Sequence, residues 1–234
     1  MATQGKKLTS GLILMVAFVV VFILIFLPLY GKDQHNNDQN GLNYLDNLYN
    51  TISKGSAYYI PKVQKEAEKY LGNQVDLGLA LKDAKQAELA VKLFSASGAQ
   101  AQAEGDKVKV SGGLGKIFQN VLADSDAMYH NQGEKLSQKY GADERLVLYT
   151  WHQVLTAMGK DLDRQKKFAE SKMGDTIKTR AVECAYNYYG IEPQNIGDKW
   201  GIVLFSLVFY VVYTLWYGFG IMHLFEGIGL KLEH

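Results

Sequence analysis

The stretch Gly201–Phe225 reads GIVLFSLVFYVVYTLWYGFGIMHLF and contains no Asp, Glu, Lys or Arg. A helix of this length is long enough to cross the hydrocarbon core of a bilayer. An amphipathic helix on the membrane surface is the alternative, but it needs a charged face, and this stretch has none. Trp200 suits the membrane–water interface at one end, and Glu226 marks the other. The sequence therefore predicts a transmembrane helix here.

A second apolar stretch lies near the N-terminus. Gly11–Tyr30 reads GLILMVAFVVVFILIFLPLY, twenty residues without a charge, which as a helix would extend about 30 Å. A cleavable signal peptide has a shorter apolar region that ends in small residues. This stretch instead closes with Phe26–Tyr30, where Pro28 falls in the last turn. We interpret it as an uncleaved membrane anchor.

The basic residues near the two crossings predict an orientation. Lys6 and Lys7 precede the first crossing, which favours a cytoplasmic N-terminus, although Lys32 and Lys199 weaken this bias. The chain is then a two-pass protein of the cytoplasmic (inner) membrane, with its main domain periplasmic or extracellular. The predicted parts are a cytoplasmic N-terminus (1–10), a first crossing (11–30), an extracytoplasmic domain (31–200), a second crossing (201–225) and a cytoplasmic tail (226–234).

The long segment between the crossings is electrically neutral. It contains 22 basic and 22 acidic residues from Lys32 to Trp200, so no basic stripe indicates a nucleic-acid partner. After a polar linker at Gly31–Gly41, apolar residues recur at spacings of three and four, which is typical of helices. The residues that carry this spacing are Leu42, Leu45, Tyr49 and Ile52; Leu77, Leu81, Ala84, Val91 and Phe94; Leu114, Ile117, Phe118, Val121, Leu122 and Tyr129; Leu148, Trp151, Leu155, Met158 and Leu162; and Ile177, Ala181, Cys184 and Tyr188.

One short run interrupts this helical pattern. Lys107–Val110 (KVKV) is the single strand candidate, and one run cannot form a sheet, so we expect an irregular excursion at Ala99–Gly113. The predicted fold class is therefore all-α: two transmembrane helices that flank an extracytoplasmic helical bundle.

No motif specifies a reaction. Cys184 is the one cysteine, which excludes an internal disulfide and Cys-rich metal sites, and its helical neighbours predict a structural core position. The five histidines share no ligand spacing, so we predict no metal site, no cofactor and no catalytic residue; the histidines are His35, His130, His152, His223 and His234. We expect a protein that is not an enzyme.

His223 is the histidine at membrane depth, where ionisable groups are candidates for function. It could ligate a haem, contact a quinone or relay a proton, which makes a membrane enzyme the third hypothesis. Ligation of a haem by two histidines needs a second intramembrane histidine, which this chain lacks. His223 also lies close enough to the helix end to reach the headgroups.

The second crossing has one polar side. At 100° per residue its hydroxyl-bearing and small residues fall along one line, and the opposite side is apolar. Since the first crossing offers no polar side chain between Leu12 and Leu29, we expect partners from backbone carbonyls, another copy or another subunit. The leading hypothesis is a non-catalytic accessory subunit that docks on other membrane subunits, or on itself, through this side; the alternative is an extracytoplasmic ligand-sensing bundle that signals through a partner. The predicted contact residues are Ser206, Tyr210, Tyr213, Tyr217 and Gly220.

Overall fold

The computed structural model describes residues 2–33 and 36–230. His35 and His234 therefore lie outside the described residues. The chain forms two compact units: one combines Met1–Gly55 with Glu192–His234, and the other is Ser56–Ile191. The second unit is referred to below as the domain.

Helices make up most of the structure. In chain order they are α1 (Ala2–Phe26), α2 (Gly41–Ser56), α3 (Ile60–Ala67), α4 (Ala84–Ala96), α5 (Leu114–Tyr129), α6 (Glu134–Tyr140), α7 (Glu144–Arg164), α8 (Phe168–Ile177), α9 (Glu183–Tyr188) and α10 (Ile196–Gly227). A 3₁₀ turn at Glu68–Tyr70 follows α3, and a π-helical turn at Lys178–Val182 joins α8 to α9. The strands are β1 (Gln74–Ala80), β2 (Gln100–Glu104) and β3 (Lys107–Gly113).

Two helices in the first unit are long and apolar enough to span a membrane. They cover Gln4–Phe26 of α1 and Ile196–Gly227 of α10. These helices contain the two predicted crossings, although α1 ends before Pro28 and α10 extends beyond the predicted bounds at both ends. The linker between α1 and α2 turns back on itself, because Lys32 bridges to Asp38 in antiparallel fashion.

The mostly helical prediction is confirmed, but the strict all-α class is wrong. The domain contains a three-stranded antiparallel sheet in the order β1–β3–β2. The sequence pattern predicts a helix at Leu77, because Leu77 lies four residues before Leu81. It belongs instead to β1, in which Val75, Leu77 and Leu79 alternate with exposed residues at the period of a strand. The helix α4 starts only after Asp83, whose carboxylate caps the Gln86 amide.

The expected irregular excursion is a β-hairpin. Lys107–Val110 is a strand, as predicted, and it lies within β3 at the centre of the sheet. There Val110 pairs with Leu77 of β1 on one side and Ala101 of β2 on the other. Gly105 provides the turn between β2 and β3 with φ of 64°, a left-handed conformation that glycine adopts without strain.

The core of the domain forms around α5 and α7. Their predicted apolar residues are buried, among them Trp151, which is inaccessible to solvent and packs edge-on against Phe94 at 6.0 Å between ring centroids. Asp143 caps α7 by accepting a hydrogen bond from the Leu146 amide. Cys184 is only partly buried at the core's edge, and its thiol donates to the Ala57 carbonyl at 3.1 Å.

Candidate functional site

The helices α1 and α10 pack antiparallel at a distance that glycines make possible. A Cβ atom at Gly11 would lie 2.7 Å from the Leu224 amide nitrogen, and one at Gly227 would lie 2.6 Å from the Leu8 Cα. Backbone atoms cannot move aside as a flexible side chain does. Small residues therefore allow this close approach, which is also how helices pair closely in membranes.

Polar contacts join the same two helices. The Lys7 ammonium lies 2.8 Å from the Glu226 carboxylate at one end of the pair. Further along the pair, the Trp216 indole donates to the Leu14 carbonyl at 3.0 Å, which satisfies the indole donor. The helix pair is thus fixed in register by an ion pair, a hydrogen bond and close glycine contacts.

Two of the predicted contact residues are buried within the chain itself. A Cβ at Gly220 would lie 2.8 Å from the Met15 sulfur of α1. Ser206 donates to its own Val203 carbonyl at 2.8 Å, so the Tyr49 hydroxyl of α2, 2.6 Å away, donates to Ser206. The expectation that hydroxyls of α10 find partners only in backbone or in other chains is wrong for Ser206, because α2 supplies a side chain.

The three tyrosines occupy different surroundings. Tyr213 stacks on Phe18 of α1 with 4.3 Å between centroids, and Tyr217 lies 5.2 Å from the same ring. The Tyr213 hydroxyl is buried and has no hydrogen-bond partner in the described part of the chain. Tyr217 is 44% exposed, and Tyr210, which makes no such ring contact, is 70% exposed. The structure therefore separates the predicted residues into a packed group and an exposed one.

The exposed group extends along one flank of α10. At 100° per residue, Tyr210, Thr214, Tyr217 and Gly218 fall within an arc of about 100°; we call these four residues the hydroxyl flank. The Thr214 hydroxyl donates to the Tyr210 carbonyl at 2.8 Å and is satisfied. A Cβ at Gly218 would meet nothing within 4 Å, so this flank has room for another helix.

His223 is partly buried beside α1. Its Nδ1 atom is buried and has no hydrogen-bond partner among the residues that the structure describes. The backbone of Gly11 approaches the backbone of His223 and Leu224 closely, so the helix pair leaves little space there. A role for His223 toward a haem, a quinone or a proton stays a hypothesis.

A buried carboxylate organises the core of the domain. Asp124 accepts hydrogen bonds from the Trp151 indole at 2.8 Å, the Tyr140 hydroxyl at 2.6 Å and the Lys139 ammonium at 2.8 Å. Burial, together with the Asp124 charge, raises the pKa of Tyr140, so the phenol remains a donor. The Asn120 amide donates to the Tyr140 oxygen. Every group in this cluster has a partner, which favours a structural role.

A cleft opens where α7 passes the π-helical turn. There the His152 Nε2 lies 3.0 Å from a carboxylate oxygen of Glu183, the first residue after the π turn. Such π-helical turns occur frequently at functional sites. The cleft has a volume of about 320 Å³ and is lined by Leu148, Tyr149, His152, Gln153, Val182, Glu183, Tyr186 and Asn187. Sequence spacing could not identify this pair, because its members are 31 residues apart.

Within residues 2–33 and 36–230, no three His, Cys, Asp or Glu side chains are grouped so that they could hold a metal ion. Comparisons with protein-family models, curated proteins and solved structures found no match to this chain.

Proposed function

We propose that the chain is a non-catalytic accessory subunit of a larger membrane assembly. In this proposal α1 and α10 cross the cytoplasmic membrane as a hairpin, and both termini are cytoplasmic. The domain Ser56–Ile191 lies on the extracytoplasmic side. The hydroxyl flank of α10 is the surface that docks on another membrane protein or on a second copy.

The exposure of Tyr210 carries this proposal. Tyr210 lies three residues from the middle of the apolar run Gly201–Phe225, or about 4.5 Å along the helix. Since half of the hydrocarbon core is about 15 Å thick, a tyrosine side chain at this depth does not reach the headgroups. A hydroxyl without a partner costs about 1–3 kcal/mol, which an acceptor on a neighbouring protein would remove.

The exposed surface of α10 outside the hydroxyl flank differs from that flank. It is apolar, and lipid covers such a surface at no cost. Its exposed residues include Leu204, Val208, Val211 and Leu215. The two sides of the exposed surface therefore differ in chemistry, as expected if lipid covers one and protein the other.

Adding bulk to the hydroxyl flank should release the partners. We expect Gly218→Leu to reduce recovery of co-purifying subunits after mild-detergent extraction, because the added side chain has space in the isolated chain but blocks another helix. Intramembrane hydrogen bonds average about 0.6 kcal/mol, so Tyr210→Phe with Tyr217→Phe should weaken association about eightfold. The measurement is the partner stoichiometry for each variant.

The matched control is Val208→Leu, which also adds volume to an exposed position of α10 and should change nothing. The proposal fails if Gly218→Leu retains the same companions as wild type. It also fails if the wild-type chain is extracted alone and as a monomer.

The orientation has its own test. Single cysteines in a Cys184→Ala background should react with a membrane-impermeant reagent in intact cells at Gln100 but not at Gln4, because Lys6 and Lys7 favour a cytoplasmic N-terminus. Both positions should react equally after the membrane is permeabilised. Labelling at Gln4 alone in intact cells would reverse the proposed orientation.

The second candidate function is ligand sensing by the domain. The observation that favours it is the cleft beside the π-helical turn, where His152 and Glu183 provide polar groups within a volume suited to a small ligand. A small molecule that co-purifies with wild type but is lost in His152→Ala would favour this function over the accessory role.

A further inference from the structure

The helix α2 has three distinct sides, although an amphipathic helix needs only two. At 100° per residue, one side holds Gly41, Leu48 and Thr51, which are buried. The opposite side is polar and consists of Asn43, Asp46, Asn47 and Asn50. Between them lies an apolar strip of Leu42, Leu45 and Tyr49, which we call the α2 strip.

The α2 strip is accessible although it is apolar. Leu42 is 50% exposed, Tyr49 is 37% exposed, and Leu45 is partly exposed. In water such a strip carries a hydrophobic cost of roughly 25 cal/mol for each Å² of apolar surface. The packing of α2 against its own unit therefore does not account for these residues.

Contacts place α2 beside the ends of both apolar helices. A Cβ at Gly41 would lie 3.2 Å from the Ile25 carbonyl, in the last turn of α1. Further along α2, Tyr49 bonds to Ser206, which is five residues inside the apolar run of α10. At about 1.5 Å per residue that is about 7.5 Å from the start of the run. The exposed apolar surface continues onto the segment after α1, through Leu27, Leu29 and Tyr30.

We propose that α2 lies in the membrane–water interface of the leaflet in which α1 ends, with phospholipid against the α2 strip. This inference rests on the proposed anchoring by α1 and α10. The apolar strip enters the boundary between headgroups and acyl chains, which interfacial helices penetrate by about 5–10 Å. The polar side of α2 remains in water. The Tyr49 ring occupies the depth at which interfacial tyrosines are enriched.

The charges on α2 predict no preference for anionic lipid. The helix carries Asp46 on its polar side and Lys54, which is buried. No basic side chain of α2 is therefore exposed to anionic headgroups, and burial of apolar surface alone drives the contact. Zwitterionic phosphatidylcholine should support it as well as an anionic lipid does.

Depth measurements on the full chain test this inference. Single cysteines in a Cys184→Ala background would replace Leu42, Asn47 or Val208, and each would carry a nitroxide in phosphatidylcholine vesicles. All three positions are exposed in the chain, so labelling should not disturb the fold. For each label we compare its accessibility to oxygen with its accessibility to a water-soluble nickel complex. The ratio of the first to the second should be several-fold higher at Leu42 than at Asn47. The Leu42 value should lie between those of Asn47 and Val208, and the addition of phosphatidylglycerol should not change it.

Each other outcome has a distinct meaning. Equal ratios at Leu42 and Asn47, with Val208 in lipid, would overturn the interfacial placement of α2 and leave the anchoring intact. A water-accessible Val208 would instead refute the proposed anchoring. A Leu42 label shielded from both reagents would show protein rather than lipid against the strip and would also overturn the inference.

Discussion

Replacing Trp151 by alanine is expected to reduce the free energy of unfolding of the domain by about 3–5 kcal/mol. Trp151 is inaccessible to solvent and packs edge-on against Phe94, so its removal leaves a large cavity. The change also removes an indole donor from the buried Asp124 carboxylate. Pulse proteolysis of the full chain in detergent, across a urea series, measures this loss. The urea concentration at which half of the domain has become sensitive to the protease should be lower for the variant.

Two controls separate volume from hydrogen bonding. Trp151→Phe keeps most of the ring volume but loses the indole donor, so its cost should be smaller than that of Trp151→Ala. Trp200→Ala should leave the urea midpoint unchanged, because Trp200 is 65% exposed and belongs to the other unit. An unchanged midpoint for Trp151→Ala would contradict the assignment of Trp151 to the core.

The second large effect is expected at Asp124. Asp124→Ala should cost about 3–5 kcal/mol, because the loss of one member of a buried charged network leaves its partners unpaired. The groups left behind are the Trp151 indole, the Tyr140 hydroxyl and the Lys139 ammonium. The same urea series measures the cost.

The neutral substitution Asp124→Asn separates the loss of charge from the loss of all acceptors. Asp124→Asn retains one oxygen acceptor in nearly the same volume, so it should cost less than Asp124→Ala. Since Trp151 and Asp124 share a hydrogen bond, the costs of Trp151→Phe and Asp124→Ala should not add in the double variant. A cost below about 1 kcal/mol for Asp124→Ala would mean that this cluster does not hold the core together.

The fold could be predicted where the apolar residues follow a single spacing along the sequence. Along α7 the apolar residues follow a single three-and-four spacing from Leu148 to Leu162, and both residues are buried as that spacing implies. From β1 to the start of α4, the spacing of Leu77, Leu81 and Ala84 fits a helix by coincidence, although Val75, Leu77 and Leu79 of β1 fit a strand. The strand β2 (QAQAE) lacks the β-branched and aromatic residues that strands favour. It is a strand because β3 pairs with it, which no local pattern reveals.

The candidate site was predictable in its residue types but not in its pairings. Helical geometry places the hydroxyl-bearing and small residues of α10 on one side, and their role as contact residues stays a prediction. It could not show that Tyr49, 157 residues away, bonds to Ser206, or that α1 uses Gly11 to approach α10. Such contacts depend on the arrangement of helices in space, and that arrangement leaves Tyr210 as the most exposed of the five predicted residues.

The division of the chain into units has a consequence for biosynthesis. The helix pair of α1 and α10 is built from two distant segments, and the whole domain lies between them in the sequence. Synthesis of the roughly 170 intervening residues, at about 5–20 residues per second, takes roughly 10–30 s. During that time α1 has no partner helix, and the close contact at Gly11 does not yet exist.

The domain can therefore fold first and then hold the segments that lead to α1 and α10 close to each other. Within it, Ala57 near one end of the chain segment touches Cys184 near the other, so folding brings both connections together. Pairing of Phe18 with Tyr213 closes a loop of about 195 residues in the unfolded chain, but of only about 60 residues outside the folded domain. The shorter loop lowers the entropic cost of pairing α1 with α10 by about 1 kcal/mol. A substitution that unfolds the domain would thus also lower the effective concentration of α10 at α1 and weaken the pairing of the two helices.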